Sequence, residues 1–249
     1  MLRFPALVIG IALSSALAQD VERAPVEPKT LPAPDQPVAP VKPAIERLED
    51  GRMKIGKVTF DPKTREIQFP AAVNQTQGLL EFVVVHQNGK VHESLFVTDI
   101  SATHLNLAFK LLGYVASPEL YFKVEEDGSL SSEFEQSTEE QKKKSRVQLS
   151  VDLTKDGKTD RQPVSKWITH ASTEKDMPSS AWVYGGSFIY DGKFVAETSG
   201  DLIAVFLSNS ALINFSGKDN QFDDVWLPHP KRVPAEGTKV TVVIHPYQS

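Results

Sequence analysis

The chain has no cysteine in its 249 residues. It therefore cannot form a disulfide, a thiolate zinc site or an iron–sulfur cluster. It also has no cysteine that could carry an N-terminal lipid. A fold without such links is held by its core, and about two hundred residues are enough to bury one. Long apolar runs are missing too. The longest, Phe4 to Leu13, falls short of the ~20 residues that span a bilayer. Basic charge is also short, with 27 Lys and Arg against 32 Asp and Glu. That balance argues against nucleic acid as a partner, which clustered cations usually meet. It argues equally against docking on anionic lipid.

The apolar run that is present has a different meaning. Arg3 precedes it, and Ala16-Leu17-Ala18 ends it as an A-x-A cleavage pattern. Residues 1–18 read as an export signal. The expected location is periplasmic or secreted, from a bacterial envelope, with no integral membrane segment left after cleavage. Cleavage removes Arg3 and leaves 26 basic residues, so the net charge goes from −5 to −6. Residues 19–44 hold seven prolines, from Pro25 to Pro43. Such a segment favours extended polyproline II and buries little, so it is expected to be a disordered spacer. A single globular domain is expected over 45–249.

Within that domain the pattern is β-rich. Met53 to Phe60, Glu66 to Phe69, Val147 to Leu153, Leu202 to Leu207 and Lys239 to His245 read as strands. Asn88-Gly89 is a type I′ turn signal between β-rich runs, and Asp156-Gly157 and Asp191-Gly192 mark further turns between strands. Ser101 to Leu112 is the best helix. Ser101 can cap it, Leu105, Ala108, Phe109 and Leu112 share a face, and Gly113 suits the position after its end. Residues 123–146 are charged and poor in hydrophobes, as in a solvated loop or a short charged helix inserted between strands. The expected class is α+β, β-rich, with antiparallel sheets of short strands and one main helix packed on them.

The candidate chemistry centres on His92, Glu93 and Ser94. A two-residue loop at Asn88-Gly89 would pair Val85 with His92, Val84 with Glu93 and Phe82 with Leu95. Glu93 would then share the core face with Phe82 and Leu95. A carboxylate there needs a donor or a raised pKa. The helix start near Ser101 to His104 could supply donors. A metal site from His92, Glu93 and His104 is disfavoured, because neighbouring strand residues point to opposite faces. A nucleophile at Ser94, with His92 or His104, lacks the G-x-S-x-G elbow and an orienting Asp. Gly185-Gly186-Ser187 is half of such an elbow and reads as a bulge or close-packing site. Asp152, Thr154, Asp156 and Gly157 begin like a calcium loop, but Pro163 stands where the bidentate Glu belongs. Trp167, Trp182 and Trp226 fit a core or rim better than a sugar platform. His86, His170, His229 and His245 show no partner spacing. No metal and no cofactor is expected.

Several stretches in order resemble one family. They are Phe69-Pro70-Ala71-Ala72-Val73-Asn74, Gly78-Leu79-Leu80-Glu81, His92-Glu93-Ser94-Leu95 and Leu105 to Gly113, then Trp182-Val183-Tyr184-Gly185-Gly186-Ser187 and Pro234 to Val240. Together they resemble the YdjY-domain proteins over roughly Leu48 to Pro246. The resemblance implies an exported bacterial protein and a domain boundary, and it implies no particular reaction. Some relatives are associated with ferredoxin modules, which a chain without cysteine cannot reproduce. Two readings stay open. One is a non-catalytic module that binds a small ligand or an envelope protein. The other is a hydrolase or metal-dependent enzyme centred on His92, Glu93, Ser94 and His104. Convergence of those four side chains in one cleft would favour the enzyme.

Overall fold

A computed structural model describes residues 44–248. The expected export signal, and all of the expected proline-rich spacer but its last residue, lie outside the described residues. The chain opens with β1 (Ile45–Arg47), β2 (Met53–Ile55), β3 (Val58–Phe60) and β4 (Ile67–Val73). β5 (Phe82–His86) and β6 (Ser94–Thr98) follow, then α1 (Ala102–Leu111). The charged stretch contains the hairpin β7 (Phe122–Val124) and β8 (Leu130–Phe134), then α2 (Glu139–Ser145). Next come β9 (Arg146–Lys155), β10 (Lys158–Pro163), β11 (Ile168–His170), β12 (Trp182–Tyr184), β13 (Ile189–Tyr190) and β14 (Lys193–Phe194). The chain ends with α3 (Val195–Ser199), β15 (Asp201–Ala204), β16 (Ile213–Phe215), β17 (Trp226–Pro228) and β18 (Lys239–Pro246).

The β-rich class holds, but the arrangement is not a set of flat antiparallel sheets. The main sheet runs β4-β18-β9-β12-β16-β15-β5-β6, and β6 pairs back to β4, which closes an eight-stranded barrel. Closure removes exposed edges, which a long open sheet would leave available for aggregation. Two of its pairings, β5 with β6 and β15 with β16, are parallel. The long strands alternate as a barrel requires. Ile67, Phe69 and Ala71 of β4 are buried, and they pair with Ile244, Val242 and Val240 of β18. Val147, Leu149 and Val151 of β9 continue the same interior.

α1 sits where its periodicity places it. Ser101 caps it by accepting the His104 N–H at 3.2 Å, and Gly113 follows it at φ 73°. Leu105, Ala108 and Phe109 are fully buried in the barrel core. Phe109 lies flat on Tyr184 of β12 with centroids 4.2 Å apart, and Tyr114 meets its edge at 5.1 Å. α1 is not alone, because α2 and α3 are helical too. α2 is the short charged helix expected within 123–146, and Thr138 and Gln141 close a capping box at its start. The hairpin before it was not anticipated.

Two turn signals act as expected. Asp156 and Gly157 join β9 to β10 with φ of 52° and 74°, and Asp191 and Gly192 join β13 to β14 with φ of 48° and 71°. The third does not. β5 and β6 run parallel, pairing Phe82 with Ser94, Val84 with Phe96 and Val85 with Val97. The expected register is therefore wrong. Neither Asn88 nor Gly89 has a positive φ. Gly89 is needed for a different reason: a Cβ there would lie 3.0 Å from the Ser199 carbonyl and 3.3 Å from the Gly200 Cα. The chain returns through a 3-10 turn at Val91–Glu93 before entering β6.

Candidate functional site

The four residues expected to form a site are placed in different surroundings. Ser94 is fully buried, and its hydroxyl faces the Val91 carbonyl at 3.3 Å. Asn74 braces it, donating to the Ser94 carbonyl at 2.9 Å and lying 3.3 Å from its hydroxyl. His92 is exposed and meets only Glu93, with Nε2 3.4 Å from Oε1. His104 leaves this neighbourhood, since its ring covers the backbone of Gly56 in the β2–β3 turn.

Glu93 is the last residue of the 3-10 turn and is half-exposed, not a strand residue facing the core. The correction follows from the parallel pairing. Glu93 does lie against another carboxyl. Burial, and then the charge of Glu93, push the Glu81 carboxyl above its ordinary value, while Lys90, 3.7 Å away, pulls it back. The anion expected at the start of α1 is present, but Glu197 of α3 supplies it. Its Oε2 accepts from the Ser101 hydroxyl at 2.9 Å and from the Thr103 N–H at 2.7 Å. The Gly185-Gly186-Ser187 stretch is a close-packing site. A Cβ on Gly185 would lie 2.2 Å from the Tyr121 hydroxyl, which instead accepts the Ser187 N–H at 2.8 Å. All three tryptophans are buried, so none offers a face to a sugar.

A cleft that the spacing of histidines did not reveal lies elsewhere. β11 pairs antiparallel with β17, setting His170 opposite Trp226 and Ile168 opposite Pro228. Above this ribbon is a cavity of about 690 Å³, within the usual ~300–1,000 Å³ of small-molecule sites. Its polar walls include Thr76, His170, Glu174, His229, Lys231 and Arg232, and Ala171, Leu227, Pro228 and Pro230 are apolar walls.

Both histidines are fixed in the same way. His170 Nδ1 accepts the Ser172 N–H at 3.2 Å, and His229 Nδ1 accepts the Lys231 N–H at 3.2 Å. Each neutral ring therefore carries its proton on Nε2. The two Nε2 atoms face carboxylates: Asp219 at 3.6 Å from His170, and Asp176 at 3.9 Å from His229. Trp226 meets the His170 ring edge-on at 5.3 Å. Asp176 is the hub of an ion-pair cluster behind His229 and Arg232. It accepts from Lys166 at 2.9 Å and Arg232 at 2.8 Å, and these two cations hold its carboxyl below its ordinary value. Arg232 also donates to the Lys166 carbonyl at 2.8 Å. Glu174, at φ 56°, turns the wall inward and donates its N–H to the His170 carbonyl at 2.8 Å.

His170 lies between a serine and an aspartate, the residue types of a hydrolytic triad, but the geometry suits binding better. Ser172 Oγ is 3.3 Å from His170 Nδ1. That lone pair already accepts a backbone N–H, so it is not free to take the serine proton. What the cleft does offer is two fixed imidazole rings, two cations and a carboxylate beside apolar walls. No sequence signal marked it: the residues after His170 and His229 share no pattern, and the same local turn occurs at His86, whose Nδ1 accepts the Asn88 N–H at 3.2 Å.

Among the described residues, no group of three or more His, Asp or Glu is arranged to hold a metal ion, and no helix is long and apolar enough to cross a membrane. No curated protein and no solved structure matches the chain. Residues 58–245 match the YdjY domain, and with that match, which takes in the barrel, α1 and the ribbon under the cleft, the chain belongs to the YdjY domain family.

Proposed function

We propose that this protein is an exported, non-catalytic binding module, and that its ligand is a small molecule or a short protein segment seated in the cleft over β11 and β17. One observation carries the reading. Two histidines with fixed tautomers, Lys231 and Arg232 line a cavity of small-molecule size with apolar walls. The export signal at residues 1–18 supports the location, and the separation of His92, Glu93 and Ser94 from His104 weighs against the enzyme reading.

Two measurements test it. A fragment library, screened by ligand-observed NMR against wild type and Ala171→Trp, addresses the cleft. Ala171 is an exposed wall residue, so the indole should fill the cavity without disturbing the core. Fragments that bind wild type and lose binding to Ala171→Trp support the reading. Equal binding to both overturns it. For location, mass spectrometry of the chain recovered outside the cytoplasm of a bacterial host should find an N-terminus at Gln19.

A further inference from the structure

A second cleft, lined from four separate segments, collects positive charge in a chain whose net charge is −5. Its cavity is about 480 Å³, and its walls include Arg65, Lys142, Lys143, Lys144 and Arg146, with Glu139 the one acidic wall residue among the described residues. Lysines near the end of α2 suit the helix dipole. The dipole does not account for Arg65, which precedes β4, or Arg146, which starts β9.

Three of these cations have partners. Lys142 meets Glu139 at 2.9 Å, Lys144 meets Glu140 at 2.7 Å, and Arg146 meets Glu119 at 3.3 Å. Arg65 and Lys143 have no carboxylate within 4 Å among the described residues. The Arg65 guanidinium lies 4.1 Å over the Tyr114 ring, and its Nε donates to the last carbonyls of α1 at Leu112 O, 3.1 Å away. Its Nη2 is buried with no partner among the described residues. Burial also pushes the neighbouring Tyr114 hydroxyl up to about 12, so it supplies no negative charge at neutral pH. A partly buried guanidinium without a counter-ion is costly, and a bound anion would offset that cost.

We propose that this cleft binds a phosphate-bearing anion. Cations approach it from several directions, which favours a multiply charged group over a lone carboxylate, and the arginines add forked donors suited to phosphate oxygens. The cavity is concave and of small-molecule size, so it takes a phosphate group with a limited attachment, not an extended nucleic acid backbone.

The test titrates inorganic pyrophosphate into the full chain by calorimetry at low ionic strength, where screening is weak. Wild type should bind, and Lys143→Glu should weaken binding by at least about fivefold with an unchanged melting temperature, because this side chain has no partner to lose. Lys143→Gln provides the milder second variant. Lys218→Glu, an exposed site outside the cleft, makes the same charge change and should alter affinity by less than about twofold. A parallel arm measures sedimentation with phosphatidylglycerol and phosphatidylcholine vesicles. Retention on phosphatidylglycerol alone, lost in Lys143→Glu, places the phosphate on a lipid. Pyrophosphate binding without retention makes it a soluble phosphate. The proposal is overturned if neither arm shows binding up to about 10 mM, or if Lys218→Glu weakens binding as much as Lys143→Glu.

Discussion

The segment from β9 to β10 turns at Asp156-Gly157 and runs straight back along itself, pairing Lys155 with Lys158 and Asp152 with Arg161. The segment from β5 to β6 leaves its strand at His86, passes Asn88-Gly89 and a 3-10 turn, and re-enters the barrel in the same direction. Both carry an Asx-Gly pair between β-rich runs. They differ in what surrounds the strands. β10 pairs only with β9 and is exposed along most of its length. β5 lies between β15 and β6, and β6 between β5 and β4, with almost every side chain buried. A local turn preference decides pairing where nothing else competes. It yields where two strands each bury both faces in a closed wall.

The largest expected effect tests that wall. Phe96 is fully buried in β6 and packs against Trp167 at 5.6 Å. Phe96→Ala should cost ~3–5 kcal/mol in chemical denaturation, whereas Thr159→Ala in β10 should stay within ~0.5 kcal/mol. Similar costs would break the comparison. Phe109→Ala in α1 should fall with Phe96→Ala, at ~3–5 kcal/mol, since both belong to the same core.

A smaller effect separates the two glycines. Gly157 has a positive φ and open space around an added Cβ, so Gly157→Asn should be near neutral. Gly89 lies against the Ser199 carbonyl and Gly200, so Gly89→Asn should cost ~1–3 kcal/mol. The reverse order would mean that the turn at Asn88-Gly89 is the determining feature after all.

The smallest effects are pH signatures of opposite sign. Glu81, beside β5, has a carboxyl raised above 4.5 by burial and then by Glu93. The folded state holds its proton more tightly, so its contribution is full below about 4.5 and is lost as pH rises through the raised value. Glu81→Gln should therefore gain stability over wild type at neutral pH and not at acid pH. His245 lies 3.2 Å from Ser150 of β9, and burial lowers it below 6.5. Its contribution is full above about 6.5 and is lost as pH falls through the lowered value. His245→Gln should lose less stability on acidification than wild type. Melting curves across the pH range check both, and parallel curves for a variant and wild type would remove the assignment for that residue.

The candidate cleft was hidden for a physical reason. His170 and Asp219, like His229 and Asp176, are brought together only when β11 pairs with β17, and neither helical nor strand spacing predicts such pairs. Glu197 at the start of α1 is a similar case. The need for an anion there was legible from the cap at Ser101, but the residue that meets it comes from α3, far along the chain. Glu93 was misplaced because β5 and β6 pair in parallel and not as a hairpin, which leaves it in the 3-10 turn before β6.

By itself the sequence determined what depends on bonds within a few residues. That includes α1, whose cap, apolar face and terminal glycine all lie within one segment. It includes the hairpins at Asp156-Gly157 and Asp191-Gly192, whose turns need only local φ values. The order of short motifs was also enough to identify the family. The tertiary structure alone decided the closure of the barrel, the parallel pairing of β5 with β6, and the meeting of charged and imidazole groups in the two clefts. Those outcomes depend on burying both faces of distant strands at once and closing the barrel wall, a condition met by the whole chain and by no single segment of it.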